Sequence, residues 1–94
     1  MPAIGLLTLE LHIQAAHSLK DKRQVVRSLK DRIRRRFNVS VAEVDHQSSW
    51  QLCTVAVVAV SSNKAGVESL LQSAEQAASS LLGADLVDSS IELI

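Results

Sequence analysis

Apolar residues recur at every second position near the start of the chain, which is the period of a β-strand. Over residues 4–13 this alternation places one apolar set on a single face: Leu7, Leu9, Leu11 and Ile13. Residues 39–45 alternate more weakly and are more polar, which favours an edge strand. Residues 52–61 are apolar on both faces and rich in β-branched side chains, as is typical of a central strand. A fourth strand is predicted over residues 85–94.

Residues 18–37 have the helical period instead. At 100° per residue the apolar side chains fall within an arc of about 120°. They are Leu19, Val25, Val26, Leu29, Ile33 and Phe37. Ser18 and Asp21 have the spacing of a capping box at the helix start. Asn38 is expected to end the helix, because asparagine tolerates a left-handed backbone.

A second helix is predicted over residues 64–82, with Ser62 or Asn63 as its N-cap and Gly83 as its stop. The element order is therefore β-α-β-β-α-β, the split arrangement of ferredoxin-like domains. We expect one α+β domain over residues 1–94. Its four-stranded antiparallel sheet should have the strand order 4-1-3-2, with both helices on one face.

Charge is distributed unevenly, although the 94 residues carry no net charge. Residues 18–37 contain nine of the ten Lys and Arg residues and only two acidic ones, a net charge of +7. The remainder has a net charge of −7. Such a division suggests a positive surface that faces an anionic partner, or the acidic part of another copy. The single Cys53 excludes an internal disulfide, and no segment resembles a signal peptide or a membrane span, so we expect a cytoplasmic protein.

Three features together resemble the YlxP-like family of small bacterial proteins. They are H-S-L-K-D-K-R at residues 17–23, R-F-N-V-S-V-A-E-V-D at residues 36–45, and the loop residue Trp50. The resemblance covers essentially the whole chain and implies a ferredoxin-like fold in a cytoplasmic protein. Genes of this family tend to lie beside those of translation and ribosome-maturation factors. The resemblance therefore implies a role connected with the ribosome or RNA, and it supplies no catalytic residues.

The basic side of the first helix is the main functional candidate. The predicted phosphate contacts are Lys20, Arg23, Arg27, Lys30, Arg34 and Arg35. Arginine suits this task because its guanidinium group can donate two hydrogen bonds to phosphate oxygens. Few aromatic residues are present for base stacking, so recognition should follow the backbone and shape of structured RNA or a ribosomal subunit. Two other interpretations remain open: a merely solvated face, and a helix that docks on an acidic protein surface.

No other group of residues suggests chemistry. His12, His17 and His46 lack the spacing of a zinc site, so no metal or cofactor is expected. Cys53 lies in the most apolar strand without an adjacent base, which argues against a nucleophile. We therefore expect a non-enzymatic protein. Trp50 either covers the end of the core or, with His46, contacts a partner.

The sheet should have one face that neither helix covers. The third strand must present one of two residue sets there. The first set is Thr54, Ala56, Val58 and Val60, and the second is Cys53, Val55, Val57 and Ala59. Either set would leave an apolar patch, which usually marks an interface. This predicts a homodimer formed through sheet faces or edge strands.

Overall fold

The computed structural model describes residues 1–94, which form four strands and two long helices. In chain order they are β1 (Ala3–His12), α1 (Leu19–Arg36), β2 (Ser40–Asp45), β3 (Leu52–Ser61), α2 (Lys64–Leu82) and β4 (Leu86–Leu93). A short 3₁₀ turn, Gly83–Asp85, precedes β4. All the strands and helices predicted from the sequence are present, and their bounds differ from the prediction by at most one residue.

The sheet has the order β2-β3-β1-β4, and all its neighbouring strands are antiparallel. This confirms the ferredoxin-like fold and the predicted order 4-1-3-2. The two central strands pair without interruption, with Leu7 opposite Val57. Both edge strands contain an irregularity, because Val44 in β2 and Val87 in β4 have no partner residue in the register. Neither helix is long and apolar enough to cross a membrane.

The core lies between the sheet and the two helices. From the central strands it takes the buried side chains of Leu7, Leu9, Leu11, Cys53, Val55 and Val57. From the helices it takes those of Val26, Leu29, Ile33, Val67, Leu71 and Ala78. Of the two sets of β3 residues left open by the sequence, the one that begins with Cys53 faces the helices. The other set, which begins with Thr54, lies on the uncovered face.

The helix ends follow local rules, with one correction. The Ser18 hydroxyl accepts from the amide of Asp21 at 3.1 Å, and the Asp21 carboxylate accepts from the amide of His17. Gly83 ends α2 with a φ of 56°. Asn38, however, does not end α1 in a left-handed conformation. The helix ends one residue earlier at an extended Phe37, because the chain enters β2 directly.

Gly5 allows α2 to lie close to β1. A Cβ atom at this position would overlap the Cγ1 atom of Val67 and the Cδ1 atom of Leu71. Because both neighbours are fully buried, we expect Gly5→Ala to lower the free energy of unfolding by about 1–3 kcal/mol through overpacking. Urea denaturation would measure this loss. As a control, Ser73→Ala at an exposed position of α2 should change the free energy of unfolding by less than about 0.5 kcal/mol.

Candidate nucleic-acid interface

The cations of α1 are almost all free of internal carboxylate partners. Of its nine basic side chains, only Lys22 lies within 4.0 Å of a carboxylate oxygen. The other ion contact in the chain joins His46 and Asp45. Eight cations of α1 are therefore left without an ion pair, and seven of them are exposed, while Lys30 is half-buried. A dense positive surface therefore covers the outer side of the helix.

Two grooves run along this surface, one on each flank of α1. The first, of about 360 Å³, lies between α1 and β2. It is lined by Arg23, Val26, Arg27, Lys30, Asp31, Arg34 and Glu43. The second, of about 570 Å³, has no apolar lining residue. It is formed by Gln24, Arg27, Ser28, Asp31, Arg32, Arg35 and Arg36. Arg27 and Asp31 line both grooves and stand on the crest between them.

The predicted phosphate contacts divide between these grooves. Four of them line the first groove: Arg23, Arg27, Lys30 and Arg34. Arg35 lies in the second groove, and Lys20, in the first turn, lines neither. The structure adds Arg32 and Arg36 to the set. The helical period does not single out these two, because 100° per residue puts Arg32 about 60° and Arg36 about 20° from Leu29, beside and inside the apolar arc.

Two of the arginines are held in place by neutral groups. Nη2 of Arg34 donates a 2.8 Å hydrogen bond to the main-chain carbonyl of Val41. The guanidinium group of Arg36 lies 5.2 Å from the centre of the Phe37 ring, a cation–π contact. Neither contact neutralises the charge. Both reduce the conformational entropy that an anionic ligand would otherwise have to remove.

Lys22 has a different role from the other cations, because its side chain is only 1% exposed. Its Nζ atom donates to the carbonyls of His46, at 2.6 Å, and Leu52, at 3.1 Å. These carbonyls belong to the two ends of the loop that joins β2 to β3. Lys22 therefore fixes α1 to the base of that loop. The sequence indicates the burial of Lys22, because a rotation of 100° per residue puts it about 20° from Leu29, inside the apolar arc.

Glu43 completes the surroundings of Lys22. Its Oε2 atom lies 3.2 Å from Nζ of Lys22 but accepts no hydrogen bond of good geometry, so the contact is Coulombic. Burial, with a smaller contribution from the neighbouring Glu43 carboxylate, raises the pKa of the Cys53 thiol to about 12. Cys53 is therefore a protonated thiol near neutral pH, which makes it a poor nucleophile.

The histidines do not converge. Nε2 of His12 lies 3.2 Å from the side-chain oxygen of Gln51, and His17 lies at the start of α1. No group of three His, Cys, Asp or Glu side chains is placed to hold a metal ion. The expected absence of a metal, a cofactor and an enzymatic activity stays a prediction.

The loop between β2 and β3 presents Trp50 to solvent, with 58% of its surface exposed. Although the loop is exposed, several hydrogen bonds hold it in place. The Ser49 hydroxyl accepts from the amides of Gln51 and Leu52, and the Gln51 side chain donates to the carbonyls of Gln14 and Ala16. Trp50 therefore does not cover the end of the core. His46, which has a φ of 64°, is exposed in the same loop.

Charge also divides across the width of the sheet. The helix α1 lies on the β2 side, as the contacts of Lys22 and Arg34 show. The helix α2 lies on the β4 side, where the Ser89 hydroxyl donates to the Glu75 carboxylate. Lys64 is the only cation of α2 and β4, whereas these elements and the 3₁₀ turn contain five acidic residues. One lateral side of the molecule is therefore basic and the other acidic.

Solved structures with the same fold differ widely in sequence. A de novo designed protein, Foldit4, has a TM-score of 0.57 and 14% identity, with 100% of this chain and 94% of that chain covered. A dimeric ferredoxin-like protein of unknown function from Thermobifida fusca has a TM-score of 0.50 and 14% identity, with coverages of 97% and 90%. At such low identity these similarities support the fold alone.

Sequence comparison gives a closer relationship. The chain is 39% identical over 69 residues to the uncharacterized protein YlxP of Bacillus subtilis (strain 168). The aligned region covers 73% of this chain and 75% of YlxP. Residues 4–91 also match the family described as "Protein of unknown function (DUF503)". The chain therefore belongs to the DUF503 family, the YlxP-like family that its motifs resemble.

Proposed function

We propose that the protein is a non-enzymatic RNA-binding protein that contacts the phosphates of structured RNA, such as that of a ribosomal subunit, through α1. The observation that carries this proposal is the set of eight helix cations without a carboxylate partner. A solvated helix normally gains from pairs of opposite charges three or four residues apart. Here only Asp31 stands three or four residues from cations, Arg27, Arg34 and Arg35, and none of them lies within 4.0 Å of its carboxylate oxygens. The cations instead stand beside one another along both grooves.

The dimensions of α1 suit a nucleic-acid backbone. From Lys20 to Arg34 the helix rises about 21 Å, at 1.5 Å per residue. A duplex presents one negative charge per roughly 1.7 Å of its axis, so this length can meet several phosphates. Both grooves are lined without an aromatic side chain, so they offer no surface on which an unpaired base could stack. We therefore propose recognition by backbone and shape, in keeping with the ribosome-related role that the family resemblance implies.

Salt dependence provides the primary test. We expect binding to a structured ribosomal RNA fragment to weaken steeply with salt, with log K falling by about 0.9 for each phosphate neutralised per unit of log salt. Contacts to four to six phosphates give a slope of about −4 to −5. Fluorescence anisotropy between 50 and 200 mM KCl would measure it. A slope near zero, or no binding at 50 mM, would contradict the proposal.

The alternative ligand of this surface is an acidic protein. A second experiment distinguishes it from RNA. Native purification followed by sedimentation should show the protein with ribosomal subunits, and treatment with ribonuclease should release it. Retention of the protein on a defined protein partner after complete RNA digestion would favour docking on an acidic protein. We also propose a cytoplasmic location, which the lone reduced cysteine supports.

We propose, as a second property, that the protein forms a homodimer. The observation in favour is the sheet face that no helix covers, which exposes Ile4, Val58 and Val60 by 42%, 39% and 67%. The Thermobifida fusca protein of the same fold is described as dimeric. Trp50 and His46, exposed in the loop between β2 and β3, remain proposed contacts to a partner.

A further inference from the structure

The residues of the uncovered sheet face are arranged in rows across the strands, and the rows change character from one end to the other. Row 1 consists of Ile94, Ile4 and Val60. Row 2 consists of Glu92, Leu6, Val58 and Ser40. Row 3 consists of Ser90, Thr8, Ala56 and Ala42. Row 4 consists of Asp88, Glu10, Thr54 and Asp45. The side chains of this face are thus large and apolar in row 1, small in row 3 and mostly acidic in row 4.

From this pattern we infer that two copies pack their uncovered faces together in a staggered antiparallel arrangement, with the two-fold axis crossing the strands at row 2. This inference rests on the proposed homodimer and specifies its interface. Sheets that pack face to face lie about 10 Å apart, with their strands aligned to within about 30°. The axis places Leu6 and Val58 opposite the same residues of the second copy, and it also places the exposed Glu92, at the β4 end of row 2, opposite its counterpart.

Side-chain size supports this register. With the axis at row 2, row 1 of each copy covers row 3 of the other. The large Ile4 then lies over Thr8, and the branched Val60 lies over Ala56. Large side chains opposite small ones interdigitate, as a close-packed core requires. A full overlap with parallel strands would instead place large rows on large rows.

Charge favours this register over a full overlap, because the axis brings only one carboxylate of each copy, the exposed Glu92 of the edge strand, opposite its counterpart. A full overlap with parallel strands would stack the two acidic rows, and like charges directly opposed cost several kcal/mol. In the staggered arrangement row 4 of one copy extends past row 1 of the other. It thereby approaches the end of β3, three residues after which stands Lys64, the only Lys or Arg outside α1. The carboxylates of row 4 therefore remain in water or gain a cation.

Pairing through the sheet edges is disfavoured by the edges themselves. The carbonyl of Val41 in β2 is already occupied by Arg34, and Val44 interrupts the same strand. In β4, Val87 interrupts the strand, and Asp88 and Glu92 would approach their counterparts in an antiparallel β4–β4 pair. Irregularities and charges of this kind are how proteins protect edge strands. The face is therefore the surface left for a second copy.

Opposite charges at Val58 test both the interface and its symmetry. Val58→Lys and Val58→Glu should each raise the dimer dissociation constant about 100-fold or more, because identical charges meet at the axis. An equimolar mixture of the two variants should recover a dimer, since each lysine then faces a glutamate. Sedimentation velocity between 1 and 100 μM, with circular dichroism to confirm folding, gives the readout. The exposed Gln72→Lys on α2 is the control and should leave the dimer unchanged.

The outcomes are distinguishable. A wild-type monomer at 100 μM would overturn both the homodimer and its interface. A wild-type dimer that neither Val58 variant weakens would overturn the interface alone. If both variants dissociate but their mixture stays monomeric, the axis does not pass near Val58 and the register is wrong. RNA binding through α1 is measured separately and is unaffected by any of these results.

Discussion

Replacing Arg23, Arg27 and Lys30 by glutamine is expected to weaken the binding of structured RNA about 100-fold at physiological salt. These three side chains line the groove between α1 and β2 and have no carboxylate partner within the chain. Each should neutralise about one phosphate, so the slope of log K against log salt should become less steep by about 3. Arg34 is left unchanged because it also donates a hydrogen bond to the main-chain carbonyl of Val41. Glutamine retains a high helix propensity, so α1 should remain folded.

A matched variant separates the site from the overall charge. The triple change Ser69→Glu, Ser73→Glu and Ser80→Glu lowers the net charge by the same three units on the exposed side of α2. It should reduce affinity by less than about threefold at 150 mM salt, where interactions between charges beyond about 8 Å are largely screened. Equal losses in the two triple variants would mean that only net charge matters. Unchanged binding by the glutamine variant would exclude α1 as the site.

The fold could be predicted from the sequence because its signals are local and agree with one another. The alternation over residues 4–13 and the helical period over residues 18–37 fix the type of each element. The ranking of strands by hydrophobicity then fixes which of them are central. Agreement across these levels is what specifies a fold. The end of α1 was missed because its position depends on how the chain enters β2.

The candidate site was less predictable, because it depends on long-range contacts. The residues of β3 are apolar on both faces, so no sequence rule could decide which set would meet the helices. The division of the basic residues into two grooves depends on the position of β2 against α1. Most clearly, the helical period predicts that Lys22 is buried, but its partners, Glu43 and Leu52, are brought beside it only by the fold.

Lys22→Met should lower the free energy of unfolding by about 3–5 kcal/mol, the largest effect on stability that we expect from one side chain. Methionine can fill the space, but the Glu43 carboxylate, whose side chain is only 19% exposed, then loses its cation. Breaking a buried ion pair by removing one partner costs this amount because the remaining charge stays uncompensated. The carbonyls of His46 and Leu52 also lose their ammonium donor. Urea denaturation would measure the loss, and the exposed Lys20→Met in the same helix should change stability by less than about 0.5 kcal/mol.

A double-mutant cycle identifies the origin of the effect. Adding Glu43→Gln to Lys22→Met removes the stranded charge, so the double variant should be more stable than Lys22→Met alone by about 1–3 kcal/mol. The two carbonyls still lack their donor, so recovery should be incomplete. If Lys22→Met were within about 1 kcal/mol of wild type, the ammonium group would not fix the loop to α1. A full loss with no recovery in the double variant would assign the effect to the carbonyls, and the position of the Trp50 loop would then depend on those two hydrogen bonds alone.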